Sequence, residues 1–94
     1  MALYLVSYDI AEKDKSEYQP LYDQLISLSA TKILLSEWLI PGDEGKEHEI
    51  YFSLSRLVSK GDRLLVNEIT KRAVYGDLLI SSVAFQSLLC YARS

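Results

Sequence analysis

Asp9 closes an apolar run. Ala2-Leu3-Tyr4-Leu5-Val6-Ser7-Tyr8-Asp9-Ile10 is aliphatic, β-branched and aromatic up to that single carboxylate. A charge at the end of such a run needs water, a partner or a metal ion, because an unpaired buried carboxylate is costly. Two readings follow. Asp9 is either the first solvated loop residue, capping a turn, or a positioned site residue at a strand terminus.

The cationic candidates lie further along. From Arg56 to Arg72 there are five bases (Arg56, Lys60, Arg63, Lys71, Arg72) against two acids (Asp62, Glu68). Arg63, Lys71 and Arg72 are the candidates for contacts to nucleic-acid phosphate. The same stretch also reads as an ordinary solvated surface. The net charge of −3 excludes a strongly basic nucleic-acid binder.

Other chemistry finds little support. His48 is the only histidine and stands between Glu47 and Glu49, as a solvated surface residue would. No Ser-His triad or histidine metal site builds around it. The four glycines form no phosphate-cradling motif. One cysteine, Cys90, excludes an intramolecular disulfide and a cysteine zinc site. Its apolar surroundings predict a buried, inert thiol. Five of the seven tyrosines, including Tyr4, Tyr8, Tyr18 and Tyr22, fall on apolar faces, which favours packing over base stacking.

The elements that must position these residues are legible from periodicity. Ala2 to Ile10 is too short for a typical helix and reads as a central strand buried on both faces. Pro20 suits a first helical turn, and Tyr18, Leu21, Tyr22, Leu25 and Ile26 form one apolar stripe that fades near Ser29. Thr31 to Ile40 reads as two consecutive strands bent at Ser36-Glu37, and Pro41-Gly42-Asp43-Glu44-Gly45 as a turn. Lys46 to Ser59 reads as a second helix with Ile50, Tyr51, Leu54, Leu57 and Val58 inward and Gly61 as its C-cap. Arg63 to Ile69 reads as a last strand. In the tail, Ile80, Val83, Ala84, Leu88 and Tyr91 make one helical stripe and Leu78, Phe85, Leu89 and Ala92 another. A helix apolar on two sides is buried or faces a partner, which favours oligomerisation.

The expected fold class is therefore α+β: a ferredoxin-like βαββαβ antiparallel sheet, two helices on one face and an extra C-terminal helix. The 94 residues make a single domain, with a core over about 2–70 and a helical tail over about 74–92. The start lacks a basic n-region, and the apolar tail is shorter than the roughly 20 residues of a membrane span. A soluble cytoplasmic protein without membrane contact is the expectation.

Tyr4-Leu5-Val6-Ser7-Tyr8-Asp9-Ile10 resembles the first strand of the small CRISPR-associated subunit of the spacer-acquisition complex, which typically closes on Tyr-Asp. Later pieces are similar to its mostly uncharacterised SinR-family relatives: Tyr18-Gln19-Pro20-Leu21-Tyr22, Leu35-Ser36-Glu37-Trp38-Leu39-Ile40 and Asp62-Arg63-Leu64-Leu65-Val66-Asn67-Glu68-Ile69, followed by Ala73-Val74-Tyr75-Gly76. The resemblance covers most of residues 2 to 76. It implies a ferredoxin-like homodimer in which the strand-end aspartates of two copies face each other and bind a divalent metal, usually Mg²⁺, for phosphodiester hydrolysis. Several members act only as DNA-binding subunits. Carried over, Asp9 is the metal ligand and catalytic carboxylate, with Tyr8 beside it.

The expected function is thus a homodimeric CRISPR-associated-like protein, either a metal-dependent nucleic-acid phosphodiesterase or a nucleic-acid-binding subunit. The alternative is a non-catalytic dimeric protein-interaction module of a defence or toxin–antitoxin-type system. The loop Ala11-Glu12-Lys13-Asp14-Lys15-Ser16-Glu17 favours the alternative, because it carries three acids and no arginine and would repel a phosphate backbone.

Overall fold

The computed structural model describes residues 1–10, 18–69 and 75–93, with backbone only for 91–93. Strand β1 (Ala2–Asp9) is followed by α1 (Gln19–Ser27), β2 (Thr31–Leu34), β3 (Glu37–Gly42), α2 (Glu47–Ser55), β4 (Arg63–Glu68) and α3 (Ser82–Arg93). The four strands form one sheet in the order β2-β3-β1-β4. Every neighbouring pair is antiparallel. This is the ferredoxin-like split-βαβ arrangement, and it places the most apolar strand, β1, in the interior of the sheet.

Alternation along β1 divides its side chains between two cores. Tyr4, Val6 and Tyr8 face α1 and α2, where they meet Leu21, Leu25, Ile50 and Leu54. Leu3 faces the other way and packs with Ile33, Leu39, Phe85 and Leu89. The C-terminal helix α3 therefore covers part of the sheet face that α1 and α2 leave bare. Of its two apolar stripes, the one bearing Phe85 and Leu89 is buried, while Val83 is 77% exposed.

Helix α1 begins with Pro20 in its first turn. It ends where Ser29 takes a left-handed φ of 62°. The Ser29 N–H donates to Ile26 O at 3.0 Å and the Ala30 N–H to Leu25 O at 3.0 Å, a Schellman closure with serine where glycine is usual. At the other end, Tyr4 crosses the core to fasten the start of α2. Its hydroxyl donates to Asp43 O at 2.5 Å and accepts from the Lys46 N–H at 3.0 Å.

Several sequence expectations are corrected here. Pro41 and Gly42 belong to β3 rather than to a turn, paired with Leu3 and Ala2. Pairing of β2 with β3 stops at Leu39, so the missing proline N–H falls where β3 has a neighbour on one side only. Helix α2 ends at Ser55 with Arg56 as its C-cap, so Gly61 does not cap it. Gly61 instead sits in the Ser59–Asp62 turn at a φ of 95°, which glycine adopts without strain. Ile26 is 62% and Tyr51 42% exposed, outside the core their spacing predicted. Cys90 is exposed, because Phe85 and Leu89 define the buried side of α3. Among the described residues, no helix is long and apolar enough to cross a membrane.

Candidate functional site

Asp9 and Arg63 occupy directly opposed positions at the ends of β1 and β4. The register puts both side chains on the sheet face away from α1 and α2. Arg63 Nη1 donates to Asp9 Oδ2 at 3.0 Å. The pair is open to water, with the Arg63 side chain 82% and that of Asp9 71% exposed. Ion pairs this exposed contribute about 0–1 kcal/mol, so either side chain is released at little cost.

One register step inward on the same face, Ser7 lies opposite Glu37. The Ser7 hydroxyl donates to Glu37 Oε2 at 2.6 Å. A shallow depression of about 260 Å³ lies along this end, lined by Ser7, Tyr8, Asp9, Arg63, Leu64 and Leu65. The depression is an open groove at a strand end, suited to an extended or flat ligand rather than to an enclosed small molecule.

Tyr8 faces the opposite side of the sheet. Its hydroxyl accepts a hydrogen bond from Trp38 Nε1 at 3.1 Å inside the α1/α2 core. Burial pushes its pKa up; the Trp38 bond works against that, and neighbouring Tyr22 adds to it. Trp38 in turn stacks on Tyr22 at 6.4 Å. Tyr8 thus shares a strand with Asp9 but not its surroundings, as alternation requires. The structure brings the Asp9 and Arg63 side chains together and turns the Tyr8 hydroxyl away from both, toward Trp38. Lys71 and Arg72 lie outside the described residues, as does the acidic loop 11–17.

Sequence reading missed the Ser7–Glu37 pair. The signal was there in part, since Ser7 stands two residues before Asp9 and must share its face. Glu37 was read as part of a bend, and only the β1–β3 register shows what it meets. Asp62 was counted only as a charge. Its Oδ2 accepts from the Tyr18 hydroxyl at 2.9 Å and from the Ser59 N–H at 2.7 Å, fixing the loop that delivers Arg63.

The donor set can be tested against a magnesium ion. Among the described residues no group of three or more His, Cys, Asp or Glu side chains converges. Among the described residues of this end, Glu37 is held by the Ser7 hydroxyl and Asp9 by the exposed Arg63. Magnesium keeps several waters and accepts one or two carboxylates. Among the described residues, Asp9 can therefore serve as one carboxylate of such a site.

No family model matches the chain. The chain is similar to a solved structure, that of a hypothetical protein TT1823 from Thermus thermophilus. The two share 25% identity with a TM-score of 0.65, over 84% of this chain and 95% of that one. The likeness concerns the fold and carries no function with it.

Proposed function

We propose that this chain is a homodimeric nucleic-acid-binding subunit of the CRISPR-associated-like kind, with Arg63 as a phosphate ligand and Asp9 as its built-in competitor. The observation that carries the reading is the exposed Asp9–Arg63 pair at the mouth of the groove. A guanidinium fork matches phosphate oxygens in a bidentate way. A phosphate displaces the Asp9 carboxylate from Arg63 at small cost, and binding is then weak and salt-sensitive, in keeping with the acidic chain.

A second reading is a magnesium-dependent phosphodiesterase. The exposure of Asp9 at the strand end favours it. In that reading Asp9 of each copy would hold the ion, which would polarise a phosphoryl oxygen and activate a water. Arg63 would neutralise charge on the scissile phosphate.

Asp9→Asn separates the two. In the binding reading the variant binds a labelled DNA or RNA duplex more tightly than wild type, because Arg63 is freed. In the phosphodiesterase reading the variant abolishes magnesium-dependent cleavage by rigorously purified protein. Weaker binding by Asp9→Asn, with no cleavage by either protein, overturns both.

A further inference from the structure

Helix α2 buries only part of its apolar surface. Ile50 and Leu54, four residues apart, share the side that packs into the core. Tyr51 and Phe52 fall round the helix from that side and are 42% and 64% exposed. Their rings stand edge to face, with centroids 6.2 Å apart. Large apolar groups exposed side by side mark a binding surface.

The surface is concave. Tyr51 and Phe52 line a groove of about 390 Å³ with Leu64, Leu65 and Val66 of β4, and Glu47 and His48 from the first turn of α2 complete it. Leu64 and Leu65 also line the depression that holds Asp9 and Arg63. The two concavities therefore meet over β4. On one side of that strand lies the exposed Arg63 guanidinium. On the other lie two exposed rings and the half-buried Glu47 carboxylate. Leu65, 57% exposed, forms the apolar saddle between them.

This series of groups selects among occupants by charge. An apolar protein segment would use the rings and leave Arg63 and Glu47 without a role. A phosphate suits the guanidinium and would be repelled by Glu47. A base suits the rings, since every base has a π-face to stack. An exocyclic amine on that base suits the carboxylate.

We propose that the nucleic acid bound by this chain is single-stranded: one phosphate sits on Arg63, and an adjacent base crosses β4 to stack on Phe52 and Tyr51 with its amine donating to Glu47. This rests on Arg63 as the phosphate ligand of the function proposed above and names the ligand of that site. A duplex offers Arg63 a phosphate but keeps its bases paired and stacked on one another, away from Phe52. Duplex binding thus uses Arg63 alone, and a single strand adds the rings. The acidic chain fits the same division, because stacking supplies affinity that a scarcity of cations cannot. Glu47 adds a base preference. Cytosine presents an N4 amine that a carboxylate accepts, whereas thymine presents a carbonyl there.

The test is fluorescence anisotropy with labelled oligo(dC), oligo(dT) and a mixed-sequence duplex. It compares wild type with Phe52→Ala, Glu47→Gln and Arg63→Gln at several salt concentrations. Circular dichroism shows that each variant is folded. Wild type should bind oligo(dC) more tightly than the duplex at equal salt. Phe52→Ala should weaken oligo(dC) binding by about fivefold or more. It should leave duplex binding and the salt slope unchanged, because no phosphate contact is lost. Glu47→Gln should narrow the preference for oligo(dC) over oligo(dT). Duplex binding that depends on Arg63, with single strands bound no better and Phe52→Ala without effect, overturns the single-strand assignment and leaves the proposed function standing. Equal wild-type affinity for oligo(dC) and oligo(dT) overturns the placement of the base amine on Glu47. A wild type that binds none of the three probes overturns the proposed function and this inference together.

Discussion

Asp9 and Arg63 face each other across the β1–β4 pair, joined by a bond between side chains 71% and 82% exposed. Water screens a pair so placed, so its worth to the fold is about 0–1 kcal/mol. Asp9→Ala should therefore shift chemical-denaturation stability by no more than about 1 kcal/mol. A loss several times larger would make Asp9 a structural residue and remove the basis for treating it as a releasable group.

Tyr8 carries the opposite expectation. It is 8% exposed and accepts the Trp38 indole N–H. Tyr8→Phe leaves that donor unsatisfied and should cost about 1–3 kcal/mol. The pH dependence follows from the sign of its shift. A tyrosine whose folded pKa is raised stabilises the fold below the ordinary value of about 10. That contribution is lost as the pH rises past it toward the higher folded value. Wild type should lose stability above that point, and Tyr8→Phe should lose less over the same range. Equal alkaline limbs in the two proteins would contradict the assignment.

Helix α3 is predicted to be part of the folding unit. Phe85 and Leu89 are 4% and 2% exposed against Leu3 and Leu39. Phe85 also packs against Tyr75, with ring centroids 4.4 Å apart and planes tilted by 56°. Phe85→Ala should cost about 3–5 kcal/mol. A melting temperature lowered by more than about 10 °C is expected for a domain of this size. A change of a degree or two would mean that α3 docks loosely.

Ser29 offers a gain. Its φ of 62° is strained for any residue with a Cβ. The Schellman bonds around it are already made. Ser29→Gly should raise stability by about 0.5–1 kcal/mol, the relief of strain exceeding the added freedom of the unfolded chain. A destabilised variant would show that the serine side chain holds something the backbone geometry does not reveal.

The sequence made some of these relationships legible and concealed others, for physical reasons. Strand β1 could be read because its apolar run is long enough to require burial on both faces. Arg63 and Asp9 could each be singled out as charges at strand ends. That they meet could not be read, because their 54-residue separation closes only through the β1–β4 register. The same holds for Ser7 and Glu37, which are 30 residues apart. The two stripes of the tail helix were visible, but which one is buried depends on Leu3, Ile33 and Leu39 offering a complementary face. Pro41 misled because a proline is excluded from a strand only where a neighbour needs its N–H, and β2 stops short of it.

The most direct test of the central claim is the salt dependence of duplex binding by wild type and Arg63→Gln. If Arg63 is a phosphate ligand, its loss weakens binding at every salt concentration and lowers the slope of log affinity against log salt by about one unit per site. Unchanged affinity and slope would contradict the claim and leave Arg63 as no more than the partner of Asp9.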